Sequence, residues 1–267
     1  MSIDIVGYNR DSWNRQSASG ASRWCEPVDT ATIIKARAGH WQVILTPNLP
    51  VPAAWFGNLT GLRVLCLASG GGQQAPVLAA AGAQVVSFDN SDEQLAKDSL
   101  VARAVADAGL DPLDLRTEQG DMADLSRFES GCFDLIFHPV SNVFVADVEA
   151  VWRECHRVLV PGGRLLAGFM NPAFYLFDHD DIEAGGPLLV ARRIPYSDLH
   201  DLSESRLAAR RTRHEALEFS HSLDTQIGGQ LAAGFTIAGF YEDRWSDEAS
   251  PLNAYMPTSM ATLAIRS

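Results

Sequence analysis

The 267-residue sequence predicts an α/β protein: a seven-stranded sheet with five parallel strands, an antiparallel C-terminal pair, and helices on both faces. Two observations carry that expectation. From Leu62 onward, short apolar runs alternate with stretches of helical periodicity, the pattern of a parallel sheet covered on both sides. The last two runs, "FTIAGFYEDR" and "SMATLAIR", have no helical segment between them. A parallel return needs a dozen or more connecting residues, usually helical, so this pair runs antiparallel or leaves the sheet. The intervening "WSDEASPLNAYMPT" holds Pro251 and Pro257 and is poor helix material.

The elements follow in order. "LRVLCLA" (62–68) is the first strand, and it runs into a loop with three consecutive glycines. Pro76 fits the first turn of the next helix, where its missing N–H costs nothing. Gly82 closes that helix, and "QVVSFD" (84–89) is the second strand. Ser91 and Gln94 have capping-box spacing, while Asp92 and Glu93 place negative charge at the positive end of the helix dipole. That helix runs to about Gly109, its stop signal. "LDLRTEQGDM" supplies a third strand ending near Asp121, and "CFDLIFHPVSN" (132–142) a fourth, with His138 and Asn142 at or past its carboxyl end. Asp147 N-caps a helix whose buried stripe is Val148, Val151, Trp152, Cys155 and Leu159. The turn "PGG" (161–163) leads into "RLLAGFM", the fifth strand. Sheet patterning then lapses until "DTQIGGQLAAGF", a helix ending at Gly234.

Composition narrows the function. The chain has a formal net charge of −12, which disfavours polyanionic partners, since a nucleic-acid binder needs clustered Lys and Arg. The basic cluster Arg206, Arg210, Arg211 and Arg213 is flanked by acids and reads as a solvated helix face. No apolar run reaches the roughly 20 residues of a membrane span, and the first residues lack a signal-peptide pattern. Cys25, Cys66, Cys132 and Cys155 form no C-x-x-C pair, so they read as reduced thiols in a cytoplasmic protein. The histidines show no metal-ligand spacing, and "FDHDD" (177–181) reads as a solvated acidic turn; no metal is expected. A small-molecule partner fits best.

The glycine loop, "LASGGGQQA", leaves two ligands open. Gly70, Gly72 and Ala75 satisfy the G-x-G-x-x-G/A spacing of a dinucleotide site, and Asp89 follows where a ribose-binding carboxylate sits. The ending separates the two. Five parallel strands followed by an antiparallel pair resemble the Rossmann-like class I S-adenosylmethionine-dependent methyltransferases. The resemblance covers roughly residues 62–265. It rests on an ordered set: the loop "LASGGG", Asp89, the "GDM" element, "FDLIFHP" and "VLVPGGRLL". The N-terminal "NRDSWNR" and the "HPVSN" segment resemble a bacterial branch of that superfamily.

The resemblance implies S-adenosyl-L-methionine as cofactor and methyl transfer to an O, N or S atom of a small molecule. It implies cofactor contacts from Ala68, Ser69, Gly70, Gly71, Gln74, Asp89, Asn90, Gln94, Asp121, Met122 and His138. Asp89, acceptor-only when ionised, suits ribose hydroxyls; Asp121 suits the adenine amino group, and Met122 the ring. One departure stands out: the family usually carries an acid two positions before the first loop glycine, and Cys66 and Ala68 occupy the corresponding places here. If the acceptor must lose a proton, His138 is the first candidate base and Tyr196 the second. His138 also has a reading as a core histidine, and Asp89 one as a cap for the Ser91 helix. Tyr8, Trp13, Trp24 and Trp41 either pack an N-terminal helix onto the sheet or roof the pocket. The implied organisation is one domain: an N-terminal helical cap (1–58), a cofactor-binding half (59–170), a substrate-covering insertion (171–223) and the C-terminal helix and strands (224–267). The rival readings are an NAD(P)-dependent oxidoreductase and a non-catalytic S-adenosylmethionine-binding protein.

Overall fold

A ligand site over a parallel sheet is fixed by strand order, and here that order reverses in the middle. The computed structural model describes residues 3–20 and 22–267. Its strands are β1 (Arg63–Leu67), β2 (Gln84–Asp89), β3 (Leu115–Gln119), β4 (Phe133–His138), β5 (Leu159–Met170), β6 (Phe235–Asp243) and β7 (Ser259–Arg266). They form one sheet in the order β3-β2-β1-β4-β5-β7-β6. The first five are parallel; β7 pairs antiparallel with both β5 and β6, as the missing crossover helix requires. The chain steps outward from β1 to β3 and returns to β4, so a crevice opens above β1 and β4 at their carboxyl ends.

The helices are α1 (Ile5–Ser19), α2 (Thr30–Arg37), α3 (Gln74–Ala80), α4 (Asp92–Asp107), α5 (Val148–Val158), α6 (His179–Glu183), α7 (Asp198–Asp201), α8 (Glu204–Thr212) and α9 (Gly229–Ala232). Strand alternation divides the core between two faces. Val64, Cys66, Val85 and Phe137 pack with Ile33 of α2, Leu78 of α3 and Val101 of α4. Leu65, Leu67, Phe88 and Ile136 pack on the other face with Val151, Trp152 and Cys155 of α5.

Several local expectations change in the tertiary setting. Ser91 caps α4 by accepting from the Gln94 N–H, but the Gln94 side chain does not complete a capping box; its amide donates to Cys25 Sγ instead. The "PGG" turn survives as a bulge inside β5, where Gly162 has φ +77° and the register against β4 jumps between Phe133 and Leu135. β3 stops at Gln119, short of Asp121, and the next position admits only glycine, since a Cβ at Gly120 would lie 2.2 Å from the Phe88 ring. The helix expected over 224–234 begins with a π-helical turn, Asp224–Gly228.

The basic cluster and the "FDHDD" segment are also corrected. Neither is a free solvated face. Arg206 pairs with Asp178 and Asp181, Arg192 with Asp178 at 3.1 Å, and Arg210 with the fully buried Asp198 at 2.7 Å. These pairs fasten the irregular segment between β5 and the C-terminal helix to itself. Among the described residues, no helix is long and apolar enough to cross a membrane.

Candidate active site

A cavity of about 510 Å³ lies over the carboxyl ends of the parallel strands, within the size range of small-molecule sites. Its floor comes from strand ends: Ala68, Ser69 and Gly70 after β1, Asp89 and Asn90 at β2, Gly120, Asp121 and Met122 after β3, and Pro139 to Ser141 after β4. Its roof comes from distant segments, namely Ile5, Asn9 and Trp13 of α1, Trp24, Phe174, Tyr175, Glu218 and Trp245. Trp13 and Trp24 are therefore roof residues, whereas Trp41 packs against Phe56 in the core at 5.1 Å between ring centroids.

The glycine loop approaches the protein before it approaches any ligand. A Cβ at Gly70 would lie 2.7 Å from Gln94 Cβ; one at Gly71 (φ +114°) would lie 2.4 Å from the Trp24 carbonyl oxygen. At Gly72 (φ +76°) it would meet Pro27 Cβ at 2.6 Å. The loop is glycine-rich because α4 and the N-terminal segment close on it from both sides. Gly70 also borders the cavity; Gly71 does not.

Two carboxylates hold this loop, one half-buried and one fully buried. Asp89 accepts from the Gly70 N–H at 3.0 Å and from the Ser91 N–H at 2.9 Å, bracing the loop and leading into α4 while still lining the cavity. Burial raises its pKa, and the N–H groups of Ser91, Gly70 and Asn90 oppose that rise. Asp98, fully buried on α4, accepts from the Gly72 N–H at 2.9 Å and the Ser87 hydroxyl at 2.7 Å. Burial pushes its pKa up to about 7, against those two hydrogen bonds and with a further rise from Asp89. Asp98 braces the loop from beneath and does not line the cavity, so it does not take the place of the acid missing at Cys66. Sequence reasoning missed Asp98, yet a signal existed: it interrupts the buried stripe Leu95, Val101 and Val105 with a carboxylate.

His138 is a core residue. Along β4, Ile136 and His138 point to the α5 face, and the imidazole meets Trp152 edge-on at 6.0 Å between centroids. It is fully buried, its Nδ1 bonds the Leu67 carbonyl at 2.9 Å, and burial lowers its pKa to about 4. The Leu67 carbonyl can only accept, so Nδ1 carries the proton. His138 does not line the cavity, so the expectation of a base or cofactor contact there is corrected. The alternation of the strand turned it away. Tyr196 is corrected likewise: its hydroxyl donates to Asp198 at 2.6 Å beneath the roof, away from the cavity lining. Asn142 pairs with Gln226 in the interior.

Of the remaining expected contacts, Ala68, Ser69, Gly70, Gln74, Asp89, Asn90, Gln94, Asp121 and Met122 meet in one cavity. Two of them carry a buried polar atom without a hydrogen-bond partner, Ser69 Oγ and Gln94 Oε1. An unpaired polar atom in a cavity wall is costly unless a ligand satisfies it. Among the described residues no Lys, Arg or His lines the cavity, so a pyrophosphate would find no cationic side chain there. Asp89, Asp121, Asp147 and Glu218 line it instead, a donor-seeking set suited to hydroxyls, amines and a sulfonium.

Comparison with known proteins agrees with this geometry. Residues 65–167 match the methyltransferase domain family. The chain is 44% identical over 262 residues to the uncharacterized methyltransferase YbaJ of Bacillus subtilis (strain 168), covering 98% of each protein. It is 32% identical to a ubiquinone biosynthesis O-methyltransferase of Xanthomonas oryzae pv. oryzae, over 54% of this chain and 56% of that one. In fold it is similar to magnesium protoporphyrin IX methyltransferase from Synechocystis PCC 6803 with bound S-adenosylhomocysteine (TM-score 0.59, 17% identity, 99% and 100% coverage). The chain belongs to the class I S-adenosylmethionine-dependent methyltransferases. It is an enzyme whose methyl donor is S-adenosylmethionine, and the dinucleotide-like spacing of Gly70, Gly72 and Ala75 reflects loop packing.

Proposed function

We propose that the enzyme methylates an O, N or S atom of a small molecule held under the roof of this cavity. One observation carries the reading: a single cavity joins the polar strand-end floor to an apolar chamber walled by Trp13, Phe144, Met170, Phe174 and Trp245. The residues present fit the donor. Asp89 would accept from the ribose hydroxyls with the lone pairs left by Gly70 and Ser91, and Asp121 and Met122 would hold the adenine. Gln94 Oε1, unpaired and buried, would accept from the ammonium in place of the acid missing at Cys66. When bound, S-adenosylmethionine supplies a methyl group already activated on a sulfonium. The protein's own task is then alignment and the exclusion of water.

α1 does part of that work. Asn9 donates to the carbonyls of Phe144 and Leu217 and accepts from the Leu217 N–H, while Asn90 donates to the Val6 carbonyl. These bonds close the roof onto both the floor and the segment carrying Glu218.

Calorimetric titration with S-adenosylhomocysteine and NADH, followed by methyl-transfer assays on a panel of small phenols, amines and thiols, tests the reading. We expect micromolar or tighter binding of S-adenosylhomocysteine, none of NADH, and methylation within the panel. Saturable methylation of a protein or nucleic acid, with none of any small molecule, would overturn the small-molecule reading.

A further inference from the structure

Among the described residues, the segment that covers the chamber contributes one carboxylate to the cavity lining, Glu218. Its surroundings are specific. Oε2 accepts from the Tyr175 hydroxyl at 2.9 Å, and Tyr175 lies buried in a stack with Tyr196. Oε1 has only a 3.9 Å ionic contact with Arg210 Nη2, too long for a hydrogen bond. Arg210 is itself shared, binding Asp198 at 2.7 Å and Glu215 at 3.4 Å. Three carboxylates thus surround one guanidinium, so Glu218 is left with charge that its own neighbours do not cancel.

The rest of the chamber sharpens this. Its other walls are mostly aromatic and aliphatic, with Asn9, Ser141 and Asn253 among the polar exceptions, and among the described residues no lining side chain is cationic. The Arg23 guanidinium lies over the Trp24 and Trp245 rings, 4.7 and 5.6 Å from their centroids, and is not itself in the lining. A carboxylate with one oxygen free, set in an apolar chamber, attracts a hydrogen-bond donor strongly and repels an anion strongly, since the low polarity magnifies both effects. Burial together with Asp198 raises the Glu218 pKa against the opposing Arg210 charge, which is the mark of a carboxyl short of donors.

We infer that Glu218 is the acceptor-recognising residue: its free Oε1 takes a hydrogen bond from an uncharged O–H or N–H on an apolar acceptor, and its charge excludes acceptors that carry a carboxylate or phosphate. This rests on the proposed function above and names its substrate class. The hydroxyl and amine forms share the chemistry Glu218 selects. The Tyr175 hydroxyl holds the carboxylate in place and is not itself the recognising group.

The test uses the full-length protein saturated with S-adenosylhomocysteine and three probes on one bicyclic skeleton: 2-naphthol, 2-naphthylamine and 2-naphthoate. Calorimetry first establishes binding of S-adenosylhomocysteine; its absence removes the donor assignment and this inference with it. With that ligand bound, 2-naphthol or 2-naphthylamine should bind at least tenfold more tightly than 2-naphthoate. Glu218→Gln should bring the anion and the neutral probes to within about threefold of each other. Tyr175→Phe keeps the carboxylate and should keep the discrimination. Equal binding of naphthoate by the wild-type protein, binding of none of the three, or an unchanged preference in a folded Glu218→Gln protein would each overturn the inference. The wild-type ordering needs no variant, so a misfolded substitution does not blunt the test.

Discussion

The floor and the roof of the cavity are built by different means. Floor residues sit at strand ends, each placed by the few residues on either side and by one hydrogen-bonded register: Asp89 braces Gly70, nineteen positions away, and Asp121 accepts from Ala123. Roof residues are placed by contacts across most of the chain. Asn9 on α1 reaches Leu217, 208 positions away, and Phe144, 135 away. The floor is therefore set by chain order at the strand ends, whereas the roof depends on a few buried side chains tying separate segments. Donor binding should be robust to changes in the roof, and acceptor binding should not.

The largest expected effect falls where the two halves meet. Gly71→Val forces a β-branched residue to φ +114° and drives its Cβ into the Trp24 carbonyl. We expect a loss of about 3–6 kcal/mol in unfolding free energy and the loss of S-adenosylhomocysteine binding, read by denaturant titration and calorimetry. A variant that folds and binds normally would show that the loop is not clamped between roof and floor.

Next in size is a pH effect under the floor. Asp98 has a folded pKa near 7, well above that of an exposed aspartate, so the folded state holds its proton more tightly than the unfolded state does. Its favourable protonated form is fully present below about pH 4, and stability falls as pH rises from there to 7. Asp98→Asn keeps groups able to bond the Gly72 N–H and Ser87. The variant should match the wild type near pH 4 and exceed it above pH 7, by on the order of 4 kcal/mol. His138 tilts the curve the other way: burial holds its pKa near 4, so the protein loses stability as pH drops below about 6.5. Both proteins carry that slope, so the difference between their unfolding free energies isolates Asp98. A pH-independent difference would mean that the Asp98 pKa is the same in the folded and unfolded states.

The smallest effect tests the roof alone. Asn9→Ala leaves the Phe144 and Leu217 carbonyls and the Leu217 N–H without their partner. Stability should drop by about 2–3 kcal/mol, while S-adenosylhomocysteine affinity changes less than threefold. Equal losses in both would mean that roof and floor form one cooperative unit.

The sequence by itself determined the sheet. Short apolar runs, Ser91 and Asp147 as caps, and two final strands without a crossover are local signals, and a parallel sheet with short connections has few ways to satisfy them. It also located Asp89, Asp121 and Met122 at the cavity, because a strand end is a position that chain order alone defines. Only the tertiary structure decided which way a side chain faces once the strand has ended, and what stands opposite it. His138 is one residue from Pro139, yet the first is sealed against Trp152 and the second lines the cavity. Asp98 and Glu218 gained their roles from neighbours 26 and 43 positions away, Gly72 and Tyr175. No local pattern encodes such partners, since the burial that gives a carboxylate its force is a property of the packed chain.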